Sequence, residues 1–143
     1  MTMTGLDVFD RAIHKSNEWL SDLMQEMGWE DRHRAYLGLR STLHALRDRL
    51  IVEEAVQLGA QLPMLIRGFY YDGWKPSGKP VKERHKEQFL AHISDQFPRG
   101  DINPESLARA VFKLLASRIS QGEIQDIKSI LPKELNEFFP PSV

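Results

Sequence analysis

The stretch AQLPMLIRGFYYDGW, residues 60–74, combines a Leu-Pro step, one arginine, three consecutive aromatic residues and an Asp-Gly turn. Its Leu62-Pro63 step recurs 69 residues later as Leu131-Pro132. Proline has no amide hydrogen and fits the first turn of a helix, so each step predicts the end of one helix and the start of the next. The two steps therefore predict short amphipathic segments over residues 63–71 and 132–139.

Upstream of this stretch, apolar residues recur at spacings of three and four. The pattern predicts a helix over about residues 5–27 that stops at Gly28, a second from about Asp31 and a third from near Glu53. Small Gly59 lowers helix propensity but lets a neighbouring helix approach closely. The second helix carries three arginines on sides other than its apolar stripe: Arg40, Arg47 and Arg49.

The second half of the chain follows the same plan. Asn103-Pro104 has the form of a helix start, and Ser120 with Glu123 has that of a capping box. We interpret the two halves as tandem copies of a three-helix-plus-short-helix unit, residues 5–72 and 80–140. The 69-residue offset also pairs Arg49 with Arg118, Leu50 with Ile119, Ala55 with Ile124, Leu58 with Ile127 and Phe69 with Phe138.

Between the two copies lies GWKPSGKPVKERHK, which is rich in glycine, proline and lysine. This composition predicts a linker or surface loop at about residues 73–80 that runs into the first helix of the second copy. Because the first helices of both copies should pack alike, we expect one compact domain over residues 1–143. The predicted fold is an all-α helical bundle of six longer and two short helices.

The segment from LRDRL (residues 46–50) through EEA (53–55) and AQLP (60–63) to RGFYYDGW (67–74) resembles a family of small bacterial helical proteins. That family is described only as a domain of unknown function. The resemblance covers nearly the whole chain, although Ile51-Val52 stands where the family pattern favours proline. It implies an all-helical fold built from a duplicated unit, and it implies no reaction and no functional residue.

The composition limits the cellular compartment that we expect for the protein and the kinds of site that it can contain. The 143 residues include no cysteine, which leaves no thiolate nucleophile and no disulfide and fits the reducing cytoplasm. Asp7 and Asp10 lie where a signal peptide would carry its apolar core, and no stretch approaches the ~18 apolar residues of a membrane span, so we expect neither export by that route nor insertion. With a formal net charge of −1, binding to nucleic acid would need a local patch.

The sequence contains no motif that names a reaction, such as HExxH, GxSxG or GxGxxG. The paired acids Glu53-Glu54 and Glu30-Asp31 lie at predicted helix starts, where the helix dipole explains them. His85 and His92 are separated by about 10 Å along a helix, too far to share a metal ion. We therefore expect no enzyme, metal or cofactor, with a catalytic site assembled from distant residues as the alternative.

Function is expected where the two copies differ, because the second copy lacks most of the polar and aromatic residues of 67–74. The leading hypothesis is a non-enzymatic interaction module that binds a protein partner or associates with itself through this region. Phe69 and one tyrosine are expected in the core. Arg67 has two structural alternatives, capping a neighbouring helix or pairing with Asp48. The candidate contacts are Arg67, Tyr70, Tyr71, Asp72 and Trp74.

Two other functions stay open. A pocket between the copies could bind a small molecule, with or without catalysis, using Tyr70, Arg67 and His44. The basic run after the aromatic residues could bind nucleic acid weakly, since cations attract phosphates and rings stack on bases. A solvated linker would have the same composition. The basic candidates are Lys75, Lys79, Lys82, Arg84 and Lys86.

Overall fold

The computed structural model describes residues 3–141, and these form eight α-helices and no strand. The all-α prediction is therefore confirmed. No helix among these residues is both long enough and apolar enough to cross a membrane. The helices are α1 (Asp7–Met27), α2 (Arg32–Arg47), α3 (Val52–Gln61), α4 (Met64–Tyr71), α5 (Lys86–Ser94), α6 (Pro104–Arg118), α7 (Gln121–Ile130) and α8 (Lys133–Asn136).

Local signals fix most helix ends. Gly28 closes α1 in the left-handed region at φ 69°, as predicted from its position. Asp31 caps α2, because its carboxylate accepts hydrogen bonds from the amides of His33 and Arg34. Asn103 caps α6 in the same way, accepting from the amide of Ser106, so the predicted helix start at Asn103-Pro104 is confirmed.

Both Leu-Pro steps separate two helices, as predicted. α3 ends one residue before Leu62, and α4 starts one residue after Pro63. The end of α7 and the start of α8 lie 69 residues after the end of α3 and the start of α4. The final segment is shorter than predicted, since α8 ends at Asn136 and Phe138 lies in the turn that follows. These helix bounds are consistent with two copies of one helical unit, and the duplication itself stays a prediction.

The helices share one apolar core. α2 packs on α1, α4, α5 and α6, and α6 packs on α1, α5 and α7. α3 packs on α4 and α7, which joins the two halves at a second place. All eight helices contribute to the core, and its largest fully buried side chains include Trp19, Tyr70, Phe89, Phe112 and Phe138.

The connection between the halves differs from the predicted linker. Residues 72–85 contain no helix, so the loop extends past residue 80 to the start of α5. It is also fastened to the first half, because the amide of Val81 donates to the carbonyl of Asp48 at 2.9 Å. An ion pair between Arg49 and Glu83 adds a second attachment.

Candidate functional site

The tyrosine that the sequence places in the core is Tyr70. Its ring is fully buried, and its hydroxyl donates to the carbonyl of Ala55 in α3 at 2.6 Å. Burial raises the pKa of Tyr70. Phe69 is only half-buried against the core. The hydroxyl of Tyr70 therefore ties α4 to α3.

Arg67 caps the carbonyl end of α3, which is the first of its two structural alternatives. Its Nε donates to the carbonyl of Gly59 and an Nη to that of Leu62, both at 2.8 Å. The second half has an equivalent contact 69 residues later. There, the side-chain amide Nδ2 of Asn136 donates to the carbonyl of Lys128 at 2.7 Å. The capping role explains Arg67 without a ligand.

Tyr71 and Trp74 form the surface edge of this segment. Their rings lie 5.5 Å apart, and both side chains are half-buried. The indole N–H of Trp74 is buried without an acceptor among residues 3–141. Asp72 is exposed, and its carboxylate accepts a hydrogen bond from Arg40 at 3.0 Å. Of the five candidate contacts, only Tyr70 is fully buried; Arg67 and Asp72 are exposed, and Tyr71 and Trp74 are half-buried.

Gly59 provides the space in which Tyr71 lies, as the sequence predicts for a close helix approach. A Cβ at Gly59 would stand 2.2 Å from the Tyr71 hydroxyl oxygen and 2.6 Å from the adjacent ring carbon. We expect Gly59→Ala to lower the free energy of unfolding by about 1–3 kcal/mol in urea denaturation, despite the better helix propensity of alanine.

Gly68→Ala is the matched control, because Gly68 lies in α4 with open space at its Cβ position. We expect it to raise stability by about 0.5–1 kcal/mol. In a Tyr71→Ala background, Gly59→Ala should lose its penalty. Equal stabilisation by the two glycine substitutions in the wild-type chain would contradict the steric account.

Arg47 is buried in the middle of the predicted site, contrary to its expected place away from the stripe. It is 4% exposed. An Nη donates to the carbonyls of Tyr70 and Asp72 at 2.6 and 3.1 Å, and Nε donates to the Asp48 carboxylate at 3.0 Å. The guanidinium can be buried because its hydrogen bonds to water are replaced by bonds to carbonyls at the C-terminal end of α4 and to a carboxylate.

His44, on α2, also contacts the C-terminal part of α4. Its Nε2 lies 2.6 Å from the carbonyl of Phe69. Burial lowers the pKa of His44, and the Phe69 bond only partly opposes this effect. His44, Tyr70 and Arg67 thus each bind at least one backbone carbonyl, through Nε2, the hydroxyl group, and Nε with one Nη respectively. A small-molecule pocket built on these three side chains has no support from this arrangement.

Arg49 is the second buried arginine, also 4% exposed. Its guanidinium lies over the ring of Phe89, donates to the carbonyl of Ala45 and pairs with Glu83. Its Nε is buried without an acceptor among the described residues. Burial lowers the pKa of Arg49, while Glu83 and Asp48 oppose that shift.

Part of the basic run between Lys75 and Lys86 lines a concave surface next to Arg49. Lys79, Lys82 and Arg84 line a cavity of 640 Å³ together with Arg49 and Glu83. Lys75 and Lys86 do not line it. The structure thus brings three of the five basic candidates together and leaves two apart.

A pair of buried acids escaped the sequence analysis, which paired Glu54 with its neighbour Glu53. Glu54 and Glu123 are each 6% exposed, and one oxygen from each lies within 4.8 Å of the other and of Asp126. Burial raises the pKa of Glu123 to about 8, and a hydrogen bond to Glu54 and its charge add to the shift. The predicted capping box is half formed, because Ser120 accepts from the Glu123 amide while the Glu123 carboxyl faces α3.

Five exposed large apolar residues lie on α3, in the turn before it and in the first turn of α4, and are here together called the apolar face. The sequence does not reveal this set, because apolar residues in an amphipathic helix are normally expected to face the core. The face comprises five side chains with exposed fractions of 37–52%: Ile51, Val52, Val56, Met64 and Leu65. Among residues 3–141, the other exposed large apolar residues lie near the N-terminus: Met3, Leu6, Val8 and Phe9.

Comparison with known proteins agrees with the expected domain of unknown function. Among curated proteins, none matches this sequence. A family model described as "Uncharacterized conserved protein (DUF2267)" matches residues 16–138, which include every functional candidate described above. Because this match spans most of the chain, the protein belongs to the DUF2267 family of uncharacterized conserved proteins.

Proposed function

We propose that the protein is a helical interaction module that assembles with a second copy of itself through the apolar face. One comparison within the chain carries this proposal. The positions 69 residues after Ile51, Val52, Val56, Met64 and Leu65 are all polar: Ser120, Gln121, Gln125, Lys133 and Glu134.

The comparison matters because both sets occupy the same positions of matching helices. α7 and the start of α8 stand 69 residues after α3 and the start of α4. The fold accepts polar residues at these positions in the second half, so folding alone does not call for apolar ones in the first half. Large apolar side chains that are exposed without a folding role are typical of a protein interface.

A second copy suits the apolar face in area and charge. The five residues are each 37–52% exposed, and exposed apolar residues of this kind form the central part of one side of a standard interface of about 800 Å² per partner. A twofold axis places such a face against itself. α3 and α4 also present exposed Glu53 and Arg67, one acid and one base, and a net charge of −1 gives little repulsion between copies.

The apolar face adjoins the predicted 67–74 contact region. Tyr71 and Trp74 could extend the interface at its edge, whereas Arg67 and Tyr70 serve the fold. Contact through Trp74 and binding of a different protein stay predictions. We place the module in the cytoplasm as part of the same proposal, because a chain without cysteine suits a reducing compartment.

Sedimentation velocity over a concentration series tests the proposal. We expect the wild type to form a dimer, and Met64→Lys/Leu65→Glu to weaken it by about 100-fold or more, because unpaired charges would enter the interface. These substitutions copy the residues found 69 positions later, so the variant should fold, which circular dichroism would verify.

Gln121→Lys/Gln125→Glu is the control, since it places the same charges on the counterpart surface of α7. It should keep the dimer. A wild type that stays monomeric would refute self-assembly, including the case in which it binds an unrelated protein instead. A dimer that survives Met64→Lys/Leu65→Glu would show that copies meet through another surface.

A further inference from the structure

The cavity beside Arg49 has a strong surplus of positive charge. Four cationic residues line it, Arg49, Lys79, Lys82 and Arg84, and Glu83 is the single acidic residue among the lining. The whole chain has a formal net charge of −1, so this surplus is local. Cations that converge on one concave surface repel each other, and an anion in the cavity would relieve that repulsion.

The wall of the cavity is built from distant parts of the chain. The turn that carries Arg49 supplies one side, the loop of residues 78–84 a second, and Ile130 with Pro132 a third. The loop is held by its backbone bond to Asp48 and by the pair of Glu83 with Arg49. A volume of 640 Å³ falls within the range of about 300–1,000 Å³ that is usual for small-ligand sites.

Arg49 adds a specific feature to this charge. Its side chain is almost completely buried, yet its only carboxylate partner is the partly exposed Glu83, and its Nε has no acceptor among the described residues. Because both Nη groups of Arg49 already bind Ala45 and Glu83 and its side chain is buried, Arg49 would attract an anion through its charge rather than by direct contact. Lys82 and Arg84 are exposed and line the same cavity, so they are the cations that would contact the ligand.

We propose that this cavity binds a small, multiply charged oxyanion, such as an organic phosphate or a polycarboxylate. Ile130 and Pro132 give the site an apolar wall, which favours a ligand that has a compact carbon part beside its anionic groups. Nucleic acid fits less well. A single strand needs an extended groove with cations along it, and here the basic residues gather around one concavity while Lys75 and Lys86 lie outside it.

Isothermal titration calorimetry at low salt, with pyrophosphate and citrate as separate probes, tests the proposal. The wild type should bind at least one probe with a Kd of roughly 10–100 µM. Lys82→Gln/Arg84→Gln should weaken binding by about tenfold or more, because two of the four cations are lost. Preference for pyrophosphate would assign phosphate ligands, and preference for citrate would assign carboxylates.

Two further variants separate a built site from diffuse attraction. Lys15→Gln/Arg99→Gln removes the same charge from exposed positions outside the cavity and should leave the affinity unchanged. Glu83→Gln removes the competing carboxylate and should tighten binding about threefold or more, which a purely structural loop would not do. The proposal fails if neither probe binds at millimolar concentration, if the control loses as much affinity, or if a ten-nucleotide single strand binds more tightly than both probes. Ile51 lines the cavity and also belongs to the apolar face, so the titrations are repeated with Met64→Lys/Leu65→Glu, which should bind the probe as tightly as the wild type if the site does not depend on self-association.

Discussion

Raising the pH from 6.5 to 8.5 is expected to lower the free energy of unfolding by about 2 kcal/mol, and Glu123→Gln is expected to abolish that loss. The cause is the buried contact between Glu54 and Glu123, which joins α3 to α7. One oxygen of each carboxyl group has no other partner among residues 3–141. A proton held between the two groups satisfies both, and its loss leaves two like charges in a site with little water.

The sign follows from where each state releases its proton. Unfolded Glu123 loses its proton near its ordinary pKa of 4.5, whereas the folded pKa is raised to about 8. Between these values the folded state binds more protons, so stability falls as the pH rises. The contribution is complete below pH 4.5 and is lost as the pH rises through 8.

Other groups facing the pair do not account for this slope. Asp126 lies on α7 beside Glu123 and is exposed. Tyr70 approaches from α4, and burial raises its pKa, so it keeps its proton in this window. Burial lowers the pKa of His44 and of His92, which makes stability rise with pH. Both histidines are present in every variant, so their effect cancels in the comparison.

Urea denaturation of the wild type, Glu123→Gln and Glu53→Gln at several pH values measures the slope. The glutamine amide can donate to Glu54 as the protonated carboxyl does, so Glu123→Gln should stay within about 1 kcal/mol of the wild type at pH 6.5. Glu53→Gln removes an exposed neighbouring acid and should keep the full slope. Parallel curves for the wild type and Glu123→Gln would refute a shared proton.

The fold was largely predictable because its signals are local. A proline cannot continue the preceding helix, a left-handed glycine ends one, and Asn103 satisfies an amide three residues away. Each depends on neighbours in the chain, so helix order and most ends followed from the sequence. The predicted last segment was longer than α8 because Phe138 continues the apolar spacing. Phe138 is in fact buried in the core from a turn, and an apolar spacing alone does not distinguish a helix from a buried turn.

The candidate sites depended on contacts between distant residues and were less predictable. Arg47 is buried because it binds the carbonyls of Tyr70 and Asp72, which come more than twenty residues later in the chain. No residue close to Arg47 in the sequence indicates these contacts. Glu54 and Glu123 did leave a signal, since they are related by the same 69-residue offset as the Leu-Pro steps. The helix dipole offered a sufficient local explanation for each acid, which hid their pairing.

Arg47→Met is expected to destabilise the protein by about 3–5 kcal/mol, the largest effect of any single polar substitution proposed here. Methionine fills similar space but donates no hydrogen bond. It would leave the carbonyls of Tyr70 and Asp72 without this donor and the Asp48 carboxylate without its cation. Because these groups lie at the end of α4, the damage should concentrate where α2 meets the 67–74 segment.

Arg40→Met is the matched control on the same helix. Arg40 pairs with the Asp72 side chain at the surface, where its side chain is 31% exposed, so its loss should cost less than about 1 kcal/mol. Hydrogen exchange gives the second readout: amides of residues 68–74 should exchange faster in Arg47→Met, while those in the middle of α6 keep their order of protection. Equal stability of the two variants would mean that Arg47 merely fills space. The expected difference would mean that its hydrogen bonds hold the aromatic segment against α2, and that α4 keeps its place beside the apolar face through a buried charge.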